Sequence, residues 1–265
     1  NSSAASDVYK RQFFRRLILV ERAEAKQLIT YREIAISVIF TAIVFVFTSV
    51  IVIATPATQG FFNIGEAGVY LAAILGGPIV GAIAGGLGSA LADLFLGYAH
   101  YAPGTFVIKG LEGFIAGYFF RKIKELEGNI RLIISLSFSV PFTAFVLYMA
   151  RGGIGIYLDA SVFGSKLIIK TTIPFVAIAI VILAIFVFIV VASFYESETI
   201  QIALASFLAG LEMVTGYFLY EAIVLGYGIV ALMEIPVNIG QVVAGILIAT
   251  PTIRTLREMG YRVES

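Results

Sequence analysis

The chain of 265 residues has no cysteine, a single histidine and few charged residues. Without cysteine, disulfide bonds and thiolate metal sites are excluded. Charged residues make up 13% of the sequence, against about 25% in an average soluble domain. A soluble protein of this length needs a polar surface, and this chain has too little polar material to provide one.

Several functional motifs are also missing. The net charge of +1 suggests no nucleic-acid partner. The sequence has no GxxxxGK[ST] phosphate loop, so we do not expect this chain itself to act as an ATPase. It has no HExxH motif, and no nucleophile–base pair can be picked out. We therefore predict that the chain is not an enzyme and has no catalytic residue, metal site or cofactor.

What the sequence has instead is long apolar runs. Hydrophobic residues make up 60% of the chain and the mean hydropathy is +0.99. About 20 apolar residues are enough to cross a bilayer as a helix, and the alternating segments of a membrane β-barrel do not occur. We therefore predict an all-α polytopic membrane protein of about eight transmembrane helices. The apolar segments are 33–53, 65–76, 78–97, 104–120, 131–149, 172–194, 199–220 and 232–250.

The distribution of lysine and arginine predicts the orientation. With the N-terminus inside, the cytoplasmic parts hold 14 of the 18 basic residues. The outside loops then hold only Arg151, Lys166 and Lys170, while Lys109 lies inside a helix. The positive-inside rule therefore favours cytoplasmic termini and an even number of crossings.

This orientation defines the predicted domains. Residues 1–30 form a cytoplasmic N-terminal segment, 31–250 the transmembrane domain, and 251–265 a cytoplasmic tail. The polar opening 1–12 lacks the apolar core of a signal peptide, and we interpret it as a candidate non-native addition.

Small residues recur at helical spacing in the third and fourth segments. Lipid gives helices no hydrophobic reason to associate, so close approach of backbones through small residues is a main route to packing. We therefore predict tight helix–helix contacts along Gly77, Gly81, Gly85 and Ser89, and along Gly113 and Gly117.

Apart from the charged residues of the predicted termini and loops, seven remain in or next to the apolar segments: Glu66, Asp93, Lys109, Glu112, Glu212, Glu221 and Glu234. A charge near the bilayer centre costs about 2.5–3.5 kcal/mol, so such residues normally face a protein interior or a wet cavity. Helical spacing places most of them in three polar stripes. The stripes are Thr105, Lys109 and Glu112; Tyr217, Tyr220 and Glu221; and Glu234, Asn238 and Gln241.

In the predicted orientation, these stripes meet the loops 55–66 and 97–105 on the outer side. The loops contribute Phe61, Phe62, Asn63, Tyr98, His100 and Tyr101. We predict an outward-facing pocket of aromatic rings, hydrogen-bond donors and acceptors, suited to a flat, polar heterocycle of vitamin size. Structural alternatives stay open: an ion pair Lys109–Glu112 without a ligand, helix-end contacts for Glu66 and Asp93, and an interfacial tyrosine belt.

Two stretches resemble the substrate-binding S components of energy-coupling factor (ECF) transporters. The first is "FFNIGEAGVYLAAILGGPIVGAIAGGLGSALADLFLGYAHYAPGTFVIKGLEGFIAGYFFRK" (61–122), and the second is "GYFLYEAIVLGYGIVALMEIPVNIGQVVAGI" (216–246). The resemblance combines, in order, FNxGE, a glycine ladder ending in Asp93, GYAHYAP…KG and EIPxNxxQ. It implies a six-helix fold in a prokaryotic plasma membrane, and partners comprising a membrane coupling subunit and two ATPases. Residues 131–195 would then be an inserted helical pair of unreadable purpose.

The stripes, the loops and the resemblance together give the predicted binding residues. The substrate-binding set is Phe62, Asn63, Tyr98, Tyr101, Thr105, Lys109, Glu112, Tyr217, Tyr220, Glu221, Asn238 and Gln241. In S components the first helix docks on the coupling subunit through small residues, and the resemblance implies this role for Ala35, Ser37, Thr41 and Ala42.

The predicted function is the binding subunit of an ATP-driven importer that captures a water-soluble vitamin from outside. Riboflavin is favoured by the aromatic lining, with a thiamine-precursor pyrimidine or a queuosine precursor as other ligands. The alternative is a stand-alone secondary transporter coupled to protons or cations, because six acids accompany one lysine in the apolar segments.

Overall fold

The computed structural model describes residues 31–123, 125–162 and 165–261. These ranges contain eight α-helices: α1 Tyr31–Val50, α2 Gly65–Gly76, α3 Pro78–Leu96, α4 Ala102–Ile123, α5 Gly128–Met149, α6 Phe175–Phe194, α7 Glu198–Leu219 and α8 Ile235–Glu258. They also contain four strands: β1 Ile53–Thr55, β2 Gly60–Phe62, β3 Ile154–Val162 and β4 Ser165–Ile173. The predictions for residues 1–30, and for the end of the tail at 262–265, lie outside the described residues.

The eight predicted helices are present, and the protein is a polytopic all-α membrane protein. Six of them (α1, α3, α5, α6, α7 and α8) are long and apolar enough to cross a membrane. The α4 helix has 22 residues but carries Lys109 and Glu112. The short α2 helix is buried along all of its 12 residues, which explains how a segment too short to span a bilayer easily is kept from lipid.

Helix ends follow local backbone chemistry. Gly77, at φ 90°, separates α2 from α3, and Pro78 opens α3, where its missing N–H costs nothing. The left-handed Gly97, at φ 88°, ends α3, and the N–H of Tyr98 donates to the carbonyl of Asp93 at 2.8 Å. In contrast, α8 continues through Pro251 to Glu258, so the predicted tail is partly helical.

The glycine ladder brings α3 and α4 into backbone contact, as its spacing predicts. A Cβ added to Gly85 would lie 2.5 Å from the carbonyl oxygen of Lys109, and one added to Gly86 would lie 2.7 Å from that of Phe106. On another side of α3, a Cβ at Gly88 would lie 2.8 Å from the carbonyl oxygen of Thr41. Because glycine has no side chain, α3 and α4 can approach this closely, and this approach sets the position of Lys109 relative to α3.

The helices α2, α3, α4, α7 and α8 form the centre of the bundle, with α2 packed against α3, α4 and α8. The α5 and α6 helices pack against each other and against α7, and most of their surface is exposed. The predicted additional pair therefore lies at the periphery of the described structure.

The strands form one antiparallel sheet in the order β2-β1-β3-β4 at one end of the bundle, which we call the sheet end. The β1 and β2 strands pair from Ile53↔Phe62 to Thr55↔Gly60, and β1 meets β3 at Ala54↔Asp159. Also at this end, a π-helical turn Tyr220–Val224 follows α7, and a 3-10 helix Gly228–Glu234 leads into α8.

The hairpin β3–β4 corrects the sequence analysis, which treated 150–171 as a plain loop and began a helix at residue 172. The two strands pair along their whole length, from Ile154↔Ile173 to Val162↔Ser165. β-Branched residues recur in both runs, isoleucine and valine in the first and isoleucine and threonine in the second. Only two residues separate the runs, and Pro174 follows the second. This pattern is typical of a β-hairpin, and the long apolar segments around it concealed the signal.

Candidate ligand-binding cavity

A polar cavity lies at the sheet end of the bundle, where residues from α1, β2, α3, α4, α7 and α8 converge. It is narrow: only about 30 Å³ of its interior is wide enough for the centre of a water molecule. Its lining consists of Thr48, Gly60, Phe61, Asn63, Ser89, Asp93, Tyr101, Thr105, Lys109, Tyr217, Glu221, Glu234, Asn238 and Gln241.

Lys109 forms the charged centre of the cavity. Its Nζ lies 2.5 Å from Glu66 Oε1 and 3.1 Å from Glu112 Oε2. Both glutamates are fully buried, and Lys109 is 3% exposed. The hydroxyl of Tyr70 donates to Glu112 Oε1 at 2.8 Å, and the Lys109 ammonium lies 5.6 Å from the centre of the Tyr217 ring. Lys109 is therefore both ion-paired and part of the lining.

A chain of hydroxyls connects this centre to Asp93 on α3. The hydroxyl of Tyr217 donates to Thr105 Oγ1 at 3.0 Å, and Thr105 hydrogen-bonds the Asp93 carboxylate. Asp93 is 3% exposed, and its Oδ2 accepts no hydrogen bond from any described residue. One acceptor of a buried carboxylate in the cavity wall is thus left without a donor.

The β1–β2 hairpin is held to the start of α8 by Glu234. Glu234 Oε1 accepts from Thr55 Oγ1 at 2.9 Å, and Oε2 accepts from Thr58 Oγ1 at 2.8 Å. A Cβ at Gly60 would lie 2.6 Å from Glu234 Oε1, so a side chain at this position would displace the Glu234 carboxylate. We call the contacts of Glu234 with Thr55 and Thr58 the hairpin latch.

Amide side chains complete the wall beside the latch. The backbone N–H of Asn63 donates to Gln241 Oε1 at 3.2 Å, and Gln241 Nε2 donates to Asn238 Oδ1 at 2.7 Å. Asn63 Oδ1 accepts from the backbone N–H of Gly65 at 2.7 Å, at the first residue of α2. The two α8 amides therefore fix the end of β2 over the cavity.

Tyr101 and Glu221 form a further part of the lining. The Tyr101 hydroxyl lies 2.8 Å from the Thr58 carbonyl oxygen and 3.2 Å from Glu221 Oε1, and can donate to either. Glu221 is 1% exposed, and its Oε2 accepts no hydrogen bond from the described part of the chain. Glu221 lies in the π-helical turn after α7, a distortion that is frequent at functional sites.

Most of the predicted substrate-binding residues converge on this cavity. Those that line it are Asn63, Tyr101, Thr105, Lys109, Tyr217, Glu221, Asn238 and Gln241. The three polar stripes therefore meet, as the cost of lipid-facing charge predicts. Glu66, which was open to a helix-end interpretation, belongs to the ion-paired centre.

Four predicted residues lie next to the lining rather than in it. Glu112 lies behind Lys109 and bonds Tyr70. The Tyr98 ring packs on Phe61 at 4.5 Å, and the Tyr220 hydroxyl donates to the backbone carbonyl of His100 at 2.7 Å. The Phe62 ring lies beside α8, 3.6 Å from the position of a Cβ on Gly240.

The lining also contains residues absent from the predicted set: Thr48, Gly60, Phe61, Ser89, Asp93 and Glu234. Phe61 lies in the loop 55–66 and Glu234 in the third polar stripe, so the sequence analysis already placed both residues near the predicted pocket. The hydroxyl of Thr48 donates to the backbone carbonyl of Val44 in its own helix at 2.8 Å. Serine and threonine commonly make this bond within helices, so Thr48 could not be recognised as a binding residue from the sequence.

The predicted docking residues on α1 lie on two sides of the helix. Ser37 is buried and its hydroxyl donates to the carbonyl of Glu33, and the backbone of Thr41 faces Gly88 of α3. Ala35 and Ala42 are exposed. The docking surface stays a prediction, and Ala35 and Ala42 are its accessible part.

The hairpin latch gives a testable prediction. Glu234→Ala removes the acceptor of both threonine hydroxyls, and hydrogen bonds to charged groups contribute about 1.5–3 kcal/mol each. We expect amide hydrogen exchange in β1 and β2 to accelerate at least tenfold, because local opening becomes easier. Exchange measured by mass spectrometry should stay unchanged for Glu125→Ala, an exposed residue at the opposite end. Equal exchange in Glu234→Ala and the wild type would contradict the latch.

Together these features define a class: a multi-pass membrane protein with a buried polar cavity at one end of its bundle. A family model described as "ECF-type riboflavin transporter, S component" matches residues 28–197, well over half of the chain. The chain belongs to this family, which is a family of transporter components: the substrate-binding S subunits of ECF transporters. The match runs through α5, the β3–β4 hairpin and α6 and ends before α7, so the assignment of 131–195 as an insertion stays a prediction.

A curated relative comes from an archaeon. The chain is 41% identical over 111 residues to a Pyrococcus woesei protein named "Uncharacterized protein in gap 3'region", covering 40% of this chain and 74% of that protein. No solved structure matches the chain significantly.

Proposed function

We propose that this chain captures riboflavin, or a closely related flat heterocycle, for an ATP-driven ECF importer, and that the cavity at the sheet end is its binding site. One observation carries the proposal. In a member of this family, Asn63, Lys109 and Asn238, which are far apart in the sequence, line one buried cavity together with aromatic rings. A flat heterocycle is bound by stacking on rings and by hydrogen bonds at its edges.

The lining offers both kinds of contact. Phe61, Tyr101 and Tyr217 supply rings, and the amides of Asn238 and Gln241 supply donors and acceptors. Riboflavin has a flat ring system with polar edges and a chain of hydroxyl groups, so it uses both. The carboxylates of Asp93 and Glu221 are suited to accept from such hydroxyls.

Binding a molecule of this size requires the cavity to widen. Sites for small organic ligands typically have volumes of about 300–1,000 Å³. In this cavity only about 30 Å³ is wide enough for the centre of a water molecule, which is room for about two waters. The wall formed by the β1–β2 hairpin is held largely by side chains, through Glu234 and Gln241. Movement of this hairpin is therefore part of the proposed binding step.

The proposed orientation places the sheet end outside the cell. The first helix runs toward the sheet and α8 runs away from it, so both ends of the described chain lie opposite the sheet. Within the described ranges, that opposite end carries six of the ten lysine and arginine residues, namely Arg32, Arg121, Lys122, Arg131, Arg254 and Arg257. This excess supports cytoplasmic termini in a prokaryotic plasma membrane. The proposed partners are a membrane coupling subunit, docked on the exposed side of α1, and two ATPases.

Riboflavin titration of the purified chain in detergent, without ATP, tests this function. We expect one riboflavin per chain, detected by quenching of flavin fluorescence. Asn238→Ala should weaken binding about tenfold or more, equivalent to about 1.4 kcal/mol, because it removes a lining amide. The matched control is Thr252→Ala, an exposed residue of the same helix. Absence of binding to the wild type, or equal losses in both variants, would overturn the assignment.

The excess of acids keeps one alternative, a secondary transporter coupled to protons or cations. Among the described residues, six carboxylates but only one lysine, Lys109, lie buried or half-buried within the part of the bundle around the cavity. Such a transporter would move solute alone in liposomes, and uncouplers would stop it. The ECF proposal expects binding by the chain alone but transport only with the coupling subunit and ATPases.

A further inference from the structure

The β3–β4 hairpin has two unlike faces. Consecutive residues of a strand point to opposite sides, and the register of the two strands shows which residues share a side. One side, which we call the apolar face, is aliphatic apart from one threonine. Among the side chains that the structure describes, it carries Ile154, Ile156, Leu158, Leu167, Ile169, Thr171 and Ile173. The other side, which we call the polar face, carries Gly155, Tyr157, Asp159, Ile168, Lys170 and Thr172.

The apolar face begins in the interior of the protein and ends at its surface. Ile154 is buried and belongs to the same hydrophobic cluster as Val146 of α5 and Ile178 of α6. Towards the tip of the hairpin, Leu167 and Ile169 are 53% and 41% exposed. Contact of such aliphatic surface with water is unfavourable, so this part of the face is suited to an apolar partner.

The base of the hairpin lies where two helices leave the membrane. The α5 helix ends at Met149 and α6 begins at Phe175. Both helices are long and apolar enough to cross a membrane, and most of their surface is exposed. Only Pro174 separates β4 from α6. The apolar face therefore starts beside a lipid-exposed helical pair, and lipid is the partner that this position supplies.

The free edge of the sheet limits how deep the hairpin can lie. In the described sheet β4 is an outer strand, so along one edge its backbone N–H and C=O groups have no strand partner. Such groups cannot be left unpaired in hydrocarbon, whereas water reaches them at the level of the lipid headgroups. On the polar face, the Lys170 ammonium lies 4.3 Å from the centre of the Tyr157 ring, a pair suited to water.

A tyrosine–arginine pair marks the headgroup level at the end of α5. The Tyr148 ring is exposed and its centre lies 4.6 Å from the Arg151 guanidinium. Tyrosine is enriched at membrane surfaces, and long basic side chains reach from apolar surface to the polar headgroups. Because β3 begins at Ile154, directly after this pair, the hairpin starts at the same level.

We propose that the β3–β4 hairpin lies along the membrane surface at the sheet end, with its apolar face on the lipid acyl chains and its polar face in water. An amphipathic element in this position places its apolar face about 5–10 Å into the boundary between headgroups and acyl chains. No lining residue of the cavity belongs to the hairpin. The inference therefore concerns a separate surface and does not depend on the ligand.

Single tryptophan reporters test this placement, because the chain has no tryptophan of its own. The full chain is placed in phosphatidylcholine nanodiscs with and without bromine on the acyl chains, since bromine quenches tryptophan fluorescence only at close approach. We expect quenching of about twofold or more for Ile169→Trp on the apolar face. The matched control is Ile168→Trp, a neighbour of the same type that is 49% exposed but lies on the polar face. It should be quenched less than half as much, and aqueous acrylamide should quench it more.

Leu167→Trp, also on the apolar face, serves if Ile169→Trp does not fold. Equal quenching by bromine at residues 168 and 169 would overturn the proposed facing. Absence of bromine quenching at residue 169 would overturn it as well. Acrylamide then shows whether that residue lies in water or is covered by protein, such as a second copy of this chain. None of these outcomes affects the proposed function, which concerns the cavity.

Discussion

Replacement of Lys109 by methionine is expected to destabilise the protein by about 3–5 kcal/mol, the cost of removing one partner from a buried ion pair. The substitution leaves Glu66 and Glu112 without their cation in a fully buried site. Thermal unfolding of the purified variant in detergent should show a large drop in Tm. Riboflavin binding, measured on the folded fraction, should fall as well, because Lys109 lines the cavity.

A compensated variant separates the structural role of Lys109 from its role toward a ligand. Glu66→Gln and Glu112→Gln, added to Lys109→Met, remove the buried negative charge together with the positive one. We expect this triple variant to recover most of the lost Tm but not the riboflavin affinity. Wild-type stability of Lys109→Met alone would contradict the buried ion-paired centre. Full recovery of affinity in the triple variant would restrict Lys109 to a structural role.

The second large effect is expected at the contact between α3 and α4. Gly85→Ala places a methyl group 2.5 Å from the carbonyl oxygen of Lys109, and backbone cannot yield as a flexible side chain does. Overpacking of this kind costs about 1–3 kcal/mol, and moving the helices apart also displaces Lys109. We therefore expect a lower Tm and weaker riboflavin binding in this variant.

Gly110→Ala provides the matched control on the facing helix. A Cβ at Gly110 meets its nearest neighbour, the carbonyl oxygen of Ala82, only at 3.4 Å. Both substitutions gain about 1 kcal/mol of helix propensity, so Gly110→Ala should be neutral or stabilising. Equal Tm changes in the two variants would show that close approach at Gly85 does not hold the helices together.

Part of the site could be predicted, because charged and polar side chains in membrane helices are strongly restricted in where they can lie. Lys109 and Asn238 had to face a protein interior, and helical spacing grouped each with its neighbours on one face. Three independent stripes then had to share one region. This physical constraint is strong because the alternative, a polar group in lipid, is expensive.

The facing of strand residues and the long-range pairings in the site depend on tertiary packing, which a single sequence does not show. Consecutive strand residues point to opposite faces, so the pattern could not decide whether Phe61 or Phe62 faces the cavity; the structure places Phe61 in the lining. Likewise, Glu234 meets Thr55 and Thr58 across more than 170 residues of chain. Such pairings follow from tertiary packing, and the spacing of residues in the sequence does not indicate them.

A structure of the riboflavin complex tests the central claim most directly. The account predicts a flavin between Lys109 and Asn238, in contact with Tyr101 or Tyr217, with the β1–β2 hairpin displaced to make room. Riboflavin bound elsewhere, for example in the groove between the β3–β4 hairpin and Met233, with the space between Lys109 and Asn238 still closed, would contradict it.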